Sequence, residues 1–273
     1  MPSLRGKSVF ITGASRGIGR EIALRCARDG AQVVITGKTE EPHPKLPGTI
    51  HSVAEEVRQA GGQALAIRLD VRDEAAIQAA VDQAAQHFGG VDVLVNNASA
   101  INLTGTLQTP ARRLDLMWSV NMRATFLASQ ACVPHLKNST NPHILTLSPP
   151  LNMDPKWFAP HLAYTISKYG MSLCALGMSK EFAGDGIAVN CLWPRTTIAT
   201  AAIEFNFPEA VLRASRKPAI MADAAHHILT RDSRECTGNF FVDEEVLRAA
   251  GKEDFSPYAV AQGTPLFSDL FVD

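Results

Sequence analysis

The sequence predicts a doubly wound α/β fold, a parallel seven-stranded sheet with helices on both faces. Apolar runs of four to seven residues recur along the 273-residue chain, and segments with helical patterns separate them. Such continuous runs are typical of strands that are buried on both faces of a sheet. Right-handed crossovers then place helices on both sides. We expect a single domain over residues 1–273, with a C-terminal tail from about residue 244.

Strand and helix patterns alternate from the start of the chain. Strands are predicted over seven segments: 8–12, 32–36, 64–69, 91–95, 143–148, 187–193 and 238–243. Helices are predicted between them: 17–29, 50–60, 73–88, 110–137 and 161–183, with Gly-Gly pairs stopping the second and third. A short helix is predicted over 244–250. Three prolines in residues 38–49 predict a braced loop after the second strand.

The composition excludes several classes of function. A net charge of −1 argues against a nucleic-acid-binding protein, which usually carries a basic face. No apolar stretch approaches the roughly 18 residues of a membrane span, and no signal-peptide core begins the chain. The five cysteines form no C-x-x-C pair, so we expect buried thiols in a reducing, cytoplasmic setting and no metal site.

A glycine-rich loop joins the first strand to the first helix. Glycine allows a sharp turn and a close approach of the backbone to a pyrophosphate, and the helix start offers free N–H groups and a partial positive charge. Because the loop stands in a strand–turn–helix context, it predicts a dinucleotide site in a Rossmann-type fold. The candidate ligands are Gly13, Ser15, Arg16, Gly17, Ile18 and Gly19.

The end of the second strand favours NADP(H) over NAD(H). A carboxylate at this point would bind the ribose hydroxyls of NAD and repel the 2′-phosphate of NADP. Gly37 occupies the acidic position, Lys38 follows, and Arg16 lies in the glycine loop, so two cations suit a phosphate. Glu40 and Glu41 would weaken this argument if they folded back toward the site. Two further side chains are candidates for closing over the adenosine end: His43 and Lys45.

Tyr164 and Lys168 form the candidate catalytic pair. Residues at i and i+4 share one face of the predicted helix, so an ammonium can lie near the phenol. A tyrosine has a free pKa near 10, and both Lys⁺ and an oxidised nicotinamide would favour its ionised form. The pair is common by chance in isolation, but here it follows the fifth strand and lies downstream of the glycine loop.

The Gly-x-x-x-Gly-x-Gly spacing, the Asn96-Asn97-Ala98-Ser99 segment and the Tyr164–Lys168 pair together resemble the short-chain dehydrogenase/reductase family over essentially the full chain. The resemblance implies that Tyr164 exchanges a proton with the substrate oxygen and that Lys168 binds the nicotinamide ribose and lowers the tyrosine pKa. It assigns further residues: Asn121 to a proton-relay water, Asp70 and Val71 to the adenine, and Asn97 to the cofactor. It also implies a homodimer or homotetramer.

Three departures from the family pattern point to a subgroup. The serine expected after the fifth strand aligns with Pro149, which has no hydroxyl, so Ser148 is the candidate substitute, with polarisation by Tyr164 and water as the alternative. The usual Pro-Gly after the sixth strand is Pro194-Arg195, and we expect Pro194 and Thr196 to meet the cofactor. The third is Val242-Asp243-Glu244-Glu245, where many relatives have Asp-Gly-Gly.

These observations predict an NADP(H)-dependent oxidoreductase that interconverts a carbonyl and an alcohol on a small to medium apolar substrate. Two segments, 150–162 and 195–216, should flank the nicotinamide. Their apolar side chains line a substrate pocket or pack a lid or a subunit contact: Leu151, Met153, Trp157, Phe158, Ile198, Ile203, Phe205 and Phe207. The alternative function is an NADP(H)-binding sensor or scaffold with weak or no catalysis, which Pro149 motivates.

Overall fold

A parallel sheet of seven strands forms the centre of the protein. The computed structural model describes residues 3–44 and 46–273. The strands are β1 (Ser8–Ile11), β2 (Gln32–Gly37), β3 (Gln63–Arg68), β4 (Val93–Asn96), β5 (His143–Thr146), β6 (Ala188–Trp193) and β7 (Phe240–Val242). Their order is β3-β2-β1-β4-β5-β6-β7, and every neighbouring pair is parallel. The predicted doubly wound, seven-stranded fold is confirmed.

Helices follow almost every strand. They are α1 (Gly17–Arg28), α2 (Ile50–Gln59), α3 (Glu74–Phe88), α4 (Ala111–Met117), α5 (Ala124–Leu136), α6 (Leu162–Glu181), α7 (Ala201–Asn206), α8 (Glu209–Arg213), α9 (Ala219–Leu229) and α10 (Asp243–Ala249). The predicted helix over 110–137 is present as α4 and α5, joined by a π-helical turn at Trp118–Arg123. The sequence analysis missed α7, α8 and α9. Within the described chain, no helix has the length and apolar character needed to cross a membrane.

Two apolar layers hold the helices against the sheet. Alternate side chains of β1 enter opposite layers: Val9 and Ile11 pack on one face, and Phe10 packs on the other. Helices α1, α2, α9 and α10 cover the first face, whereas α3, α5 and α6 cover the second. Both faces of the sheet are therefore buried. This is why the strands of a parallel sheet appear in the sequence as continuous apolar runs.

The chain reverses its direction across the sheet between β1 and β4. After β1 the chain moves outward to β2 and β3, and it then returns to β4 on the other side of β1. The loops that leave β1 and β4 consequently run in opposite directions and open a crevice at the carboxyl ends of the strands. In doubly wound sheets this crevice is where ligands bind.

The chain after α10 folds back across the carboxyl end of β6. The indole N–H of Trp193 donates to the carbonyl of Leu270 (2.7 Å), and Thr196 and Ser268 form an isolated antiparallel bridge. Phe271 is 1% exposed and forms the centre of a third apolar cluster, next to Tyr164 and Tyr169. The tail therefore belongs to the folded body and lies over the crevice.

Candidate active site

The glycine loop forms the floor of a cavity of about 830 Å³ at the crevice. Gly13 has φ +68°, and a Cβ there would lie 2.9 Å from the Cα of Ala98, so only glycine fits this turn. Helix α1 begins at Gly17 without a side-chain cap, which leaves its first N–H groups for an anion. Nine of the predicted cofactor residues line the cavity: Gly13, Ser15, Arg16, Gly17, Ile18, Lys38, Asp70, Val71 and Asn97.

Asn97 supports the glycine loop from the end of β4. Its side-chain amide donates to the carbonyls of Thr12 and Gly13, both at 2.9 Å. A Cβ at Gly19 would lie 2.5 Å from the Asn97 amide nitrogen, so Gly19 acts through packing and is absent from the cavity lining. Asn96, by contrast, points into the core and donates to the Ser129 hydroxyl (3.2 Å). The two asparagines thus have different positions, and only Asn97 reaches the cavity.

The proline-containing loop after β2 contacts and braces the glycine loop, a role that the sequence analysis did not assign to it. Gly48 has φ +84°, and a Cβ there would lie 2.3 Å from the carbonyl oxygen of Ser15. The Arg16 guanidinium donates to the carbonyls of Pro47 (3.1 Å) and Gly48 (3.2 Å) and to the Thr39 hydroxyl (3.1 Å). Partial burial lowers the pKa of Arg16 from its usual value. This arginine is therefore held at the rim of the cavity by the loop.

Charges of both signs surround the predicted adenosine end. Lys38 Nζ lies 3.9 Å from the Asp70 carboxylate, whose pKa falls to about 2 mainly because the Arg72 guanidinium donates to it. Glu40 pairs with Arg68 (3.3 Å) and does not line the cavity, and neither does Glu41. Other carboxylates line the same cavity: Glu21, Glu56 and Glu204, of which the first two pair with Arg20. The described residues do not include Lys45.

Tyr164 and Lys168 lie on the buried face of α6. The Lys168 ammonium donates to the carbonyl of Leu147 (2.6 Å) and lies 5.0 Å from the centroid of the Trp193 ring. The Tyr164 ring stacks on Phe271, with centroids 6.3 Å apart. Both side chains line a second cavity of about 190 Å³, which we call the catalytic cavity after this candidate pair. No described residue hydrogen-bonds to the Tyr164 hydroxyl. The pair is therefore together and open to a ligand.

The protein alone shifts both pKa values toward the neutral forms. Burial raises the pKa of Tyr164, and the nearby charge of Asp269 raises it further. Burial lowers the pKa of Lys168 to about 7, although Cys191 and Asp269 act in the opposite direction. We expected Lys168 to lower the tyrosine pKa, and the surroundings have the reverse net effect. Tyr164 is consequently a protonated phenol at neutral pH, which suits a proton donor.

The serine position of the family pattern offers no hydroxyl to the cavity. Pro149 is buried, and its carbonyl accepts a hydrogen bond from Ser172 (2.7 Å). Ser148 is fully buried and donates to the Cys191 sulfur (3.2 Å), and neither Ser148 nor Pro149 lines the catalytic cavity. The structure therefore does not bring Ser148 together with Tyr164.

Some of the remaining site candidates are bonded within the protein, and others line the catalytic cavity. The Asn121 amide oxygen accepts from the Ala100 N–H (2.7 Å), and its nitrogen donates to the Ala100 carbonyl and to Ser167, so the side chain is fully used within the protein. Pro194 lines the catalytic cavity, whereas Thr196 is buried in its bridge to the C-terminal segment. In that loop the lining is completed by Thr197, Ile198 and Thr200.

The apolar residues of the two segments expected near the nicotinamide divide between the cavity wall, internal packing and the exposed surface. Three of them line the catalytic cavity: Ile198, Ile203 and Phe207. Trp157 and Phe158 instead pack in the cluster around Phe271. Met153 and Phe205 are exposed, at 72% and 54%. The sequence analysis missed the other wall of the cavity, Phe267 to Leu270 of the tail, where no motif or periodic pattern marks the chain.

The comparison with known families agrees with this geometry. The profile described as short chain dehydrogenase matches residues 7–208. The chain belongs to the short-chain dehydrogenase family. It is 57% identical over 270 residues to hydroxysteroid dehydrogenase-like protein 2 of Danio rerio and 56% identical to that of Homo sapiens. These matches cover 99% of this chain but only 65% and 64% of the relatives' lengths.

Solved structures of the family are also similar. A crystal structure of a Xanthomonas campestris protein has a TM-score of 0.97 and 54% identity, with 99% of both chains covered. A short chain dehydrogenase from Mycobacterium thermoresistibile has a TM-score of 0.94 and 51% identity, with 99% of this chain and 96% of that one covered. The fold and the subgroup indicated by the sequence are thereby confirmed. Among the described residues, no group of three His, Cys, Asp or Glu side chains could hold a metal ion.

Gly48 provides a test of the bracing loop. We expect Gly48→Ala to weaken NADPH binding, because the new Cβ collides with the Ser15 carbonyl. It should also lower the free energy of unfolding by more than the about 1–2 kcal/mol that a positive φ alone costs alanine. Gly89→Ala is the matched control, since Gly89 has φ +82° and nothing within 4 Å of its Cβ position. Chemical denaturation and NADPH titration of both variants measure the difference. Equal losses in the two variants would contradict a bracing contact.

Proposed function

We propose that this member of the short-chain dehydrogenase family is an NADP(H)-dependent oxidoreductase that interconverts a carbonyl and an alcohol. The observation that carries the proposal is the continuity of the cleft. The larger cavity over the glycine loop and the smaller cavity at Tyr164 share five lining residues: Ile18, Asn97, Ser99, Thr200 and Ala202. A dinucleotide whose pyrophosphate lies at the start of α1 would therefore extend its nicotinamide toward Tyr164.

The residues of the chain suit the reductive direction. When bound, the nicotinamide cofactor supplies the hydride that a carbonyl carbon accepts. Tyr164 is protonated at neutral pH and lines the cavity, so its hydroxyl is placed to give a proton to the carbonyl oxygen. Lys168 lies one turn further along the same face, where its ammonium can bind a ribose hydroxyl and later support the phenolate.

The charges at the end of β2 support NADP(H) as the cofactor. Arg16 and Lys38 both line the larger cavity, and Gly37 supplies no carboxylate at the position that would bind the ribose of NAD. Glu40 turns away to Arg68. A 2′-phosphate would meet two cations at this rim, and it would compete with Asp70 for Lys38.

The catalytic cavity suits a small to medium apolar substrate. Ile198, Ile203 and Phe207 form one side, and Phe267 and Leu270 of the tail form the other. Apolar walls with a few convergent polar groups are typical of small-molecule sites. The names of the relatives mention hydroxysteroids, and an alicyclic carbonyl is one member of the class that such walls accept.

A second candidate function is that of a dinucleotide-binding sensor or scaffold. The observation that favours it is the absence of a hydroxyl at Pro149, because the family serine would otherwise polarise the substrate oxygen. Tight NADPH binding without turnover on aliphatic ketones, alicyclic ketones and aldehydes would support this second function and contradict the first.

We also propose a cytoplasmic homo-oligomer. Exposed apolar side chains form a stripe on α6 and continue on the α4–α5 run: Leu162, Ile166, Leu173, Leu176, Leu114, Trp118 and Phe126. Such a patch on a folded surface is typical of a protein interface. A second copy of the chain is the occupant that the family resemblance implies. The five cysteines are free thiols, in keeping with a reducing compartment.

Tyr164→Phe tests the proton transfer. We expect it to lower kcat for NADPH-dependent carbonyl reduction about 10²- to 10⁴-fold, the contribution of a positioned general acid, and to leave the Kd of NADPH unchanged. Tyr258→Phe is the control, because Tyr258 bonds to Asp223 and does not line the cavity. Full activity in Tyr164→Phe would contradict the proposed role.

Removal of the two rim cations tests the cofactor preference. Arg16→Ala should raise the Kd of NADPH about 10- to 100-fold, the value of a charged hydrogen bond. Lys38→Ala should raise it about 2- to 5-fold, because Lys38 is 63% exposed and screened by solvent. Binding of NADH should not weaken in either variant.

Arg68→Ala is the matched control for these two, since Arg68 is an exposed cation of the adjacent strand that lies outside the cavity. Fluorescence titration of the wild type and the three variants with each reduced cofactor gives the eight dissociation constants. An equal loss of affinity for NADPH and NADH in Arg16→Ala would show that Arg16 braces the loop and does not bind the 2′-phosphate.

Leu173→Glu tests the oligomer interface. A charge at the centre of the α6 stripe should dissociate the assembly, because the partner copy would have to bury an unpaired carboxylate. Leu107→Glu is the control, since Leu107 is 95% exposed and lies outside the stripe. Light scattering after size exclusion measures the mass of both variants, and an unchanged mass for Leu173→Glu would place the interface elsewhere.

A further inference from the structure

The tail fixes one wall of the catalytic cavity through its backbone. Asp269 N donates to the Arg195 carbonyl (3.1 Å), Thr197 N donates to the Phe267 carbonyl (3.0 Å), and the Trp193 indole donates to the Leu270 carbonyl (2.7 Å). Phe271 then enters the apolar cluster under Tyr164. The side chains between Phe267 and Phe271 are therefore held in place from both ends.

Asp269 carries the carboxyl group of this wall. Among the described residues that line the catalytic cavity, it is the one acid, and it shares the cavity with Tyr164 and Lys168. Its Oδ1 accepts a hydrogen bond from the Leu270 N–H (2.7 Å). No other described group hydrogen-bonds to Oδ2, so this oxygen is available to a ligand.

Carbonyl reduction in this cavity calls for a group besides Tyr164 that hydrogen-bonds to the substrate oxygen. Pro149 has no hydroxyl, and Ser148 bonds to Cys191 in the core. Four hydroxyl side chains also line the cavity. Ser99 and Ser268 are exposed, the Thr197 hydroxyl is hydrogen-bonded to Ser215 (2.7 Å), and Thr200 lies where this cavity joins the larger one. Asp269 is partly buried, and its charge acts on both members of the catalytic pair. It is therefore better placed than either serine to meet a substrate beside Tyr164.

We propose that Asp269 is a catalytic residue that hydrogen-bonds to the reacting oxygen of the substrate, in the place of the serine that Pro149 removes. The proposal rests on the proposed carbonyl reduction and adds a residue to it. In that step the cofactor hydride forms the new C–H bond and the Tyr164 proton goes to the oxygen. Asp269 donates a hydrogen bond in its neutral form and keeps its proton throughout.

The protonation state of Asp269 follows from its surroundings. Burial, aided by the Asp243 carboxylate, raises its pKa to about 7, and the Leu270 N–H and Lys168 act in the opposite direction. Tyr164 faces it from α6, and the Arg195 guanidinium on the adjoining loop is directed to Glu245. Near neutral pH, the carboxyl group is therefore divided between its neutral and ionised forms.

The sign of the pH dependence follows. Below about pH 7 the neutral carboxyl donates to the oxygen, so reduction is fast. Above that pH the carboxylate can only accept, and its charge opposes the negative charge that develops on the substrate oxygen. The reductive kcat/KM should fall as the pH rises through about 7, well below the pH at which Tyr164 itself ionises.

Three variants test this residue. Asp269→Ala should lower kcat at about pH 6 on the order of 100-fold, the cost of removing one donor to an oxyanion. Asp269→Asn retains a donor at every pH, so it should keep most of the low-pH rate and lose the part of the fall near pH 7 that Asp269 contributes. The part due to Lys168, whose pKa is also about 7, should remain. Asp273→Asn is the control, because Asp273 is an exposed carboxylate of the same tail that bonds to Asn152 and Lys156.

The measurement is the pH profile of NADPH oxidation with aliphatic and alicyclic ketones, together with the Kd of NADPH and the thermal melting of each variant. A wild-type rate in Asp269→Ala, or an unchanged fall near pH 7 in Asp269→Asn, would overturn the proposal. If Asp269→Ala does not fold, the nearly isosteric Asp269→Asn still decides the question through its pH profile.

A titration without substrate separates this proposal from the proposed function. Tyrosinate absorbance of the NADP⁺ complex, with Tyr164→Phe as the reference, reports the pKa of Tyr164. Asp269→Asn should lower that pKa, because it removes a negative charge that faces the phenol. A lowered Tyr164 pKa without turnover of any ketone would support the position of Asp269 beside Tyr164 and contradict the proposed reductase function. An unchanged pKa in an active enzyme would reject Asp269 alone.

Discussion

The buried ammonium of Lys168 is the constraint on which the catalytic cleft depends. A cation that leaves water needs compensating dipoles, and Lys168 finds them in the Leu147 carbonyl and the face of the Trp193 ring. Those two partners follow β5 and end β6, so the side chain ties α6 to the carboxyl ends of both strands. Tyr164 lies one helical turn away on the same face and is positioned by the same contact.

The two halves of the cleft present opposite electrostatic surroundings. The half over the glycine loop offers helix N–H groups with Arg16 and Lys38 at its rim, which suits a diphosphate. The catalytic half contains a phenol, an ammonium and the Asp269 carboxyl in one small cavity, and burial shifts the pKa of each toward its neutral form. A site with three groups poised in this way is organised for proton exchange and hydrogen bonding more than for ion pairing.

The sequence predicted the sheet and the phosphate end of the cleft because both depend on local chemistry. Apolar runs mark strands that are buried on both faces, and Gly13 and Gly19 stand where a Cβ would collide with its neighbours. The pair on α6 was predictable because i and i+4 always share a helical face. Helix α9 was missed because eight of its eleven residues are buried, so its polar face is reduced to Asp223 and His227.

The substrate end could not be predicted for a different reason. The wall from Phe267 to Leu270 is held by long-range backbone hydrogen bonds to Arg195 and Thr197, and such bonds leave no pattern in the side chains. The orientation of Ser148 toward Cys191 likewise depends on how β5 and β6 pair. The direction of the Tyr164 pKa shift was unexpected because it depends on burial and on Asp269, which lies 105 positions further along the sequence.

A crystal structure with NADP⁺ and a ketone-like inhibitor tests the central claim most directly. The account predicts that the nicotinamide C4 lies about 3.5 Å from the carbon that mimics the substrate, with the Tyr164 hydroxyl about 3 Å from its oxygen. A nicotinamide ring outside the cavity that Tyr164 and Lys168 line, or a Tyr164 hydroxyl turned away from the inhibitor, would contradict it.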